Sequence, residues 1–246
     1  MNGPSWRQSR RLLALILVLL GYASATAAGP GGRAASTPPP ADDAGRLGGF
    51  LSRLQVFQHD LKDLSGAFHQ LRETKLLGSS VASSGQFWYR HPDQLRLKYT
   101  SPETSEVVVK GADVWLYFPA SQEAQHYTLE NRAALSGLFV GFGGEAPDLR
   151  ENFEVSLLED ARRGPNGEGG LVLAPREGSS LAVDVSRVEI VLDETGGPPR
   201  AIRIAGVSGD LLELELSAVR INPGLAPTLF DFTPPPGVTV VDHAGR

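Results

Sequence analysis

Leu229-Phe230-Asp231-Phe232-Thr233-Pro234-Pro235-Pro236-Gly237-Val238-Thr239-Val240-Val241 decides how the fold of this 246-residue chain ends. Phe230 and Phe232 lie two apart, so in a strand both rings face one side, and three prolines then end any ladder because they lack N–H donors. Gly237 supplies the freedom for a turn, after which Val238 to Val241 can extend again. The stretch reads as strand, rigid bend, short strand. The prolines deny a partner strand its ladder bonds, which guards an exposed edge against aggregation.

Upstream, the hydrophobic period takes two values. Leu47, Phe50, Leu51, Leu54, Phe57, Leu61 and Leu64 fall at spacings of three and four, the stripe of an amphipathic helix with Ser65-Gly66 as its C-terminal cap. The period then becomes two. Phe87 and Tyr89 share one parity, Leu95, Leu97 and Tyr99 alternate with Arg96 and Lys98, and Val114, Leu116 and Phe118 follow. Ile202 and Ile204 alternate with Arg203, and Leu212, Leu214 and Leu216 with Glu213 and Glu215. These are half-buried strands, roughly ten in all, and the short turns between them imply an antiparallel meander. Two runs change parity: Leu181, Val183 and Val185 give way to Val188, Ile190 and Leu192, and Leu216 gives way to Val219 and Ile221. A slip of one residue reverses the apolar face unless a bulge intervenes, which predicts bulges near Ser186-Arg187 and Ala218 that curl the sheet.

Ala133 to Phe142 is apolar without alternation and contains Gly137 and Gly141, which suits a short helix or a hinged flap. One helix and this glycine-laced segment offer too little bulk to fill a wide one-faced sheet. The expectation is an apolar cavity with Leu135, Leu138, Phe139 and Phe142 as its lid, against the alternative of a fully packed core. By parity the lining falls to Phe68, Phe87, Tyr89, Leu95, Leu97 and Leu116, whereas Trp88, Trp115 and Tyr117 belong outside or at a rim. Acyl chains fit such a cavity, since each buried methylene is worth about 0.8 kcal/mol and a sixteen-carbon chain about 12 kcal/mol of gross transfer energy.

The N-terminus carries Arg7, Arg10 and Arg11, an apolar run from Leu12 to Leu20, and then Ala23-Ser24-Ala25-Thr26-Ala27-Ala28. Residues 1–28 read as a secretory signal peptide, with cleavage after Ala25 or Ala27; Ser9-Arg10-Arg11 has a twin-arginine flavour, but the greasy run favours the general secretory route. Residues 29–45, rich in Gly, Pro and Ala, read as a disordered linker before one domain over 46–246. The chain has no cysteine, so neither a disulfide framework nor a lipidation thiol is present. Removal of residues 1–28 takes three arginines and no acid from 23 basic and 28 acidic residues. The remaining excess of acid argues against a nucleic-acid partner.

Catalytic constellations are weak. His59, His69, His91, His126 and His243 are scattered, and Glu123 with His126 reads as strand-end surface polarity. Gly141-Phe142-Gly143-Gly144 lacks a βαβ setting, so its glycines read as hinges rather than a phosphate cradle. The expectations are no enzyme activity, no catalytic or metal residues and no cofactor.

The order helix, meander, apolar flap, second meander and Phe-x-Phe-Thr-Pro-Pro ending resembles the outer-membrane lipoprotein carrier (LolA) family from about Leu47 to Asp242. Leu64-Ser65-Gly66-Ala67-Phe68-His69-Gln70 resembles the family's helix exit, Gly85-Gln86-Phe87-Trp88-Tyr89 its Gly-x-aromatic strand, and Asp113-Val114-Trp115-Leu116-Tyr117 its Leu-Trp-x-Tyr neighbourhood. The resemblance implies a mainly β fold, a curved antiparallel sheet forming an incomplete β-barrel with an N-terminal amphipathic helix and a short helical lid. It implies a soluble, monomeric periplasmic carrier that shields the acyl chains of lipoproteins. Its implied partners are acylated lipoproteins, an inner-membrane lipoprotein-releasing ABC transporter, and an outer-membrane lipoprotein receptor or the outer membrane itself. Where the family has Arg-Pro, this chain has Arg90-His91-Pro92, and Leu95 stands where the family has an aromatic residue. Arg90 and His91 are therefore the expected handover and lid contacts, and a neutral His91 would make lid closure pH-sensitive. A carrier of free lipid or glycolipid on the same fold, and a structural or receptor module with a filled core, are the alternatives.

Overall fold

The computed structural model describes residues 41–128, 149–150, 153–158, 169–178, 180–192 and 197–243. The expected signal peptide, most of the linker and the lid residues Leu135, Leu138, Phe139 and Phe142 lie outside them. Helix α1 (Ala41–Asp60) is followed by β1 (Asp63–Thr74), β2 (Ser79–Arg90), β3 (Gln94–Ser101), β4 (Ser105–Lys110), β5 (Asp113–Phe118) and β6 (Glu123–Thr128). The second half contributes β7 (Phe153–Leu157), β8 (Gly169–Pro175), β9 (Val185–Leu192), β10 (Pro199–Gly206), β11 (Leu211–Ile221) and β12 (Thr239–Asp242). All twelve strands form one mainly antiparallel sheet in the order β12-β6-β5-β4-β3-β2-β1-β11-β10-β9-β8-β7. Two meanders thus run away from a central seam where β1 pairs with β11. The sheet is open, with β12 and β7 at its edges, consistent with the expected incomplete barrel.

Both predicted bulges are present. Ala205 faces Arg187 while Gly206 faces Val185, so Ser186 is the extra residue in β9. Ser65 faces Arg220 while Ala67 faces Ser217, which sets Ala218 and Val219 of β11 against Gly66 alone. Ala218 there has φ 49°, a left-handed conformation that a β-carbon disfavours.

The helix ends earlier than its stripe suggests. It stops at Asp60, and Leu64, Ser65 and Gly66 belong to β1. Leu61 and Leu64 still reach the core, because a spacing of three satisfies the end of a helical stripe as well as a chain turning into a strand. The Asn222 side chain fixes the turn: its Oδ1 accepts from the backbone N–H of Lys62 at 2.7 Å and of Asp63 at 3.2 Å, and its Nδ2 donates to the Asp60 carbonyl at 3.0 Å. At the other end the helix begins at Ala41, inside the stretch read as linker. Three interior glycines, Gly45, Gly48 and Gly49, weaken its intrinsic propensity. Packing of Phe50, Leu51 and Leu54 holds it instead, each burial being worth about 1.5–3 kcal/mol.

The terminal stretch forms no first strand. Pro227–Phe230 is a 3-10 turn, and the chain then crosses the outer face of the sheet without a ladder until β12. Side chains beneath it take its polar groups: Arg96 Nη1 donates to the Leu229 carbonyl at 2.8 Å, and Lys110 pairs with Asp231. Phe232 lies against Trp115 and Tyr117, at ring-centroid distances of 5.3 and 5.6 Å, so these two residues do pack outside. Phe230 is buried. Docking of aromatic residues and prolines on a finished face has displaced the ladder that alternation alone predicted. After Gly237, β12 pairs with β6 in parallel, the exception in an otherwise antiparallel sheet. One further expectation fails: Leu181 and Val183 lie in a 3-10 turn (Ser180–Val183), and the strand begins only at Val185.

Gly85 sits where β2 crosses Phe68 and β3. A β-carbon there would overlap the Lys98 carbonyl oxygen and stand 2.7 Å from the Phe68 ring. Gly85→Ala should therefore lower stability by about 2–3 kcal/mol in urea denaturation. Phe230→Ala should cost about 3–5 kcal/mol in the same measurement, because it empties the buried anchor of the crossing segment.

Candidate functional site

The inner face of the sheet is built by parity. In β1 the even residues Leu64, Phe68, Gln70 and Arg72 turn inward, and Gly66 among them leaves room for the Phe87 ring: a β-carbon on it would lie 2.7 Å from Phe87 Cε1. Phe68, Phe87, Tyr89, Leu95 and Leu116 are all buried in one contiguous cluster, and Leu97 packs against it half-buried. The sequence reading therefore brings its six expected lining residues together. The same cluster contains Phe50, Leu51 and Leu54 of α1 and, from the second meander, Leu171, Ile190 and Leu216. Among the described residues the helix thus fills much of the inner face.

A pocket of about 190 Å³ remains at the end of that face where β1, β3 and β5 finish and β2 and β4 begin. Val81, Tyr99, Val107, Leu116 and Phe118 give it apolar walls, and Gln70 and Arg72 make a polar lip, with Glu103, Glu106 and three serines also bordering it. Leu116 is the one expected lining residue that borders it. Gln70, Tyr99 and Arg72 escaped the sequence reading as site residues; the inward parity of β1 is the signal that marks two of them. Tyr99 stacks edge-on against Phe68 at 4.9 Å, and its hydroxyl donates to Gln70 Oε1 at 3.0 Å. Burial pushes that hydroxyl well above the ordinary phenol range, against the opposing pull of the Arg72 guanidinium. Tyr99 is therefore a fixed neutral donor between greasy wall and charged lip. The pocket falls below the 300–1,000 Å³ usual for small-molecule sites, so a long apolar ligand needs inner-face side chains to move.

Tyr89, at the opposite end, donates to the Pro92 carbonyl at 3.2 Å, and burial, then the Asp93 charge, raises its hydroxyl. Arg90 follows on the outward parity, paired with Gln94 and Asp63 across its two neighbouring strands. His91 is exposed, and its backbone N–H donates to the Lys62 carbonyl. Glu123 and His126 do not meet. Glu123 accepts from Gln125, whereas His126 lies 3.1 Å from Asp113 and 3.4 Å from Asp242, stacked on Trp115 at 4.3 Å. That arrangement fastens β12 to β6 and β5. It leaves His126 enclosed by strand partners rather than aimed at a substrate.

Three comparisons place this geometry. A curated relative from Halorhodospira halophila, described as an outer-membrane lipoprotein carrier protein, is 29% identical over 196 residues, covering 79% of this chain and 86% of the relative. A second, of the same description from Alkalilimnicola ehrlichii, is 28% identical over 78% of this chain and 83% of its own length. The crystal structure of an uncharacterized conserved protein from Thermus thermophilus superposes with a TM-score of 0.51 at 12% identity, covering 80% of this chain and 99% of that one, which is a likeness of fold. The family model for the outer membrane lipoprotein carrier protein LolA matches residues 59–233, a span that begins at the end of α1 and includes both meanders and the crossing segment. The chain belongs to the LolA family.

Proposed function

We propose that this chain is a periplasmic carrier that takes up the acyl chains of lipoproteins on the inner face of its sheet and delivers them from the inner membrane to the outer membrane. The observation that carries this reading is the continuous apolar inner face, opening through a pocket whose lip is Gln70 and Arg72. Family membership and the printed descriptions of the relatives support it. Acyl chains occupy the apolar walls, and the polar junction to the protein cargo stays at the lip. The inner-membrane partner is a lipoprotein-releasing ABC transporter, and the acceptor is an outer-membrane receptor or the membrane itself. No catalysis is involved.

Helix α1 gives the carrier a means of release. Phe50, Leu51 and Leu54 occupy the space that acyl chains would claim, so ligand and helix compete, and net affinity is the gross transfer energy less the cost of displacing them. Arg90 and His91 are assigned to cargo handover and lid contact on the family resemblance, and Leu135, Leu138, Phe139 and Phe142 to the lid itself.

A fluorescent acyl probe should bind the purified mature protein saturably. Leu54→Ala should tighten that binding severalfold while lowering stability by about 2–5 kcal/mol, whereas Leu116→Asp should abolish it. Mass spectrometry of ligand extracted from the native protein should show diacylglyceryl-cysteine peptides. Unattached lipid in that extract would convert the reading to a free-lipid carrier, and no saturable probe binding would refute it.

A further inference from the structure

The outer face of the seam between the two meanders contains a second cavity of about 490 Å³, within the range of small-molecule sites. It lies across the sheet from the acyl-binding face, so nothing said of it depends on the carrier reading. Across β2, β1 and β11, Trp88, Ser65 and Arg220 stand in one row, since Ser65 is paired with Trp88 on one side and Arg220 on the other. The adjoining row brings in Gln86 opposite Ala67. Ala67, with its short side chain, keeps the floor low, and the Gly66 backbone borders it.

Three independent observations mark this cavity as a site. First, Ser65 is 1% exposed, and its Oγ, at the wall of the cavity, has no hydrogen-bond partner among the described residues. A buried hydroxyl left unmatched is costly in a native structure and calls for a partner. Second, Arg220 makes no ion pair among the described residues, although Arg96, Lys110, Arg187 and Arg203 are neutralised by Glu106, Asp231, Glu189 and Glu213. Asp63, two residues before Ser65 on the same face, has its carboxylate oxygens taken by the N–H groups of Gly224 and Leu225. Third, the bulge at Ala218 puts Arg220 where it is. Without that extra residue Arg220 would share the parity of Leu216 and point into the apolar core; with it, Arg220 joins Ser65 on the outer face. Ala218 holds this bulge at φ 49°, a conformation that persists in non-glycine residues where the surroundings or function enforce it.

The chemistry of the lining specifies the ligand class. Ser65 offers O–H, Trp88 an indole N–H, Gln86 an amide N–H and Arg220 a guanidinium, and no carboxylate lines the cavity. Several donors and one cation lining a single cavity match an acceptor with several oxygens and negative charge, and charge-assisted bonds to guanidinium are the strong ones. We propose that the cavity bounded by Ser65, Gln86, Trp88 and Arg220 on the outer face of the β1–β11 seam binds a phosphoryl oxyanion. Free phosphate and the headgroup of an anionic phospholipid present the same atoms to it.

The test uses the mature protein carrying Trp115→Phe, which leaves Trp88 as its one tryptophan once residues 1–28 are removed. Inorganic phosphate, titrated against chloride at matched ionic strength, should change Trp88 emission saturably. Arg220→Gln should weaken that binding at least tenfold and Ser65→Ala at least threefold, with both variants retaining wild-type circular dichroism and acyl-probe binding. A parallel titration uses vesicles of phosphatidylglycerol and of phosphatidylcholine. Arg220-dependent binding to phosphatidylglycerol vesicles without a phosphate response assigns the oxyanion to a lipid headgroup and supports the site. No response to either probe, or a response undiminished in Arg220→Gln, overturns it.

Discussion

The pairing of β1 with β11 is the constraint on which the rest of the molecule depends. These strands lie far apart in sequence, and each begins or ends a meander whose other pairings are local hairpins. Closing the seam costs the entropy of a long loop and can be repaid only by the ladder and by the apolar faces that it aligns. Leu64 and Phe68 on one side and Leu216 on the other are the residues so aligned. Asn222 adds a local device, since one side chain in a left-handed turn ties the exit of α1, the start of β1 and the end of β11 together.

From the seam the two faces take different tasks. The inner face collects large apolar side chains from both meanders and α1, with Gln70 and Arg72 as a polar lip at one end. The outer face of β3 to β5 would expose Val108, Trp115 and Tyr117, and the crossing segment from Pro227 to Phe232 covers it with aromatic contacts and two cationic hydrogen bonds. Farther along, Leu158, Val172, Val191 and Ala201 make a small separate cluster outside the second meander. Covering these patches keeps a sheet with apolar residues on both faces from offering a broad sticky surface.

The sequence made legible whatever followed from alternation. Parity assigned Phe87, Tyr89, Leu95 and Leu116 to one face and Trp115 and Tyr117 to the other, and a change of parity located both bulges, Ser186 and Ala218. Where a local pattern fitted two outcomes it misled. Leu61 and Leu64 continue a helical stripe and also suit a turn into β1, and Asn222, which decides between them, is about 160 residues away. Phe230 and Phe232 mimic a strand, but the partners of their segment are side chains of β3, β4 and β5, more than 100 residues earlier. The polar lip was passed over because Gln70 and Arg72 carry no hydrophobic signal, although their inward parity is plain once β1 is placed.

The crossing segment leaves the seam at Asp63, runs over the back of β3, β4 and β5, and ends by adding a strand to β6. It therefore works as a tendon along one half of a curved shell. The half from β1 to β6 has its curvature fixed from behind, because flattening it would stretch a proline-stiffened chain anchored at both ends. Among the described residues nothing spans the back of β7 to β11 in the same way. The two halves of the shell consequently differ in stiffness, and widening of the inner space falls to the half without the tendon.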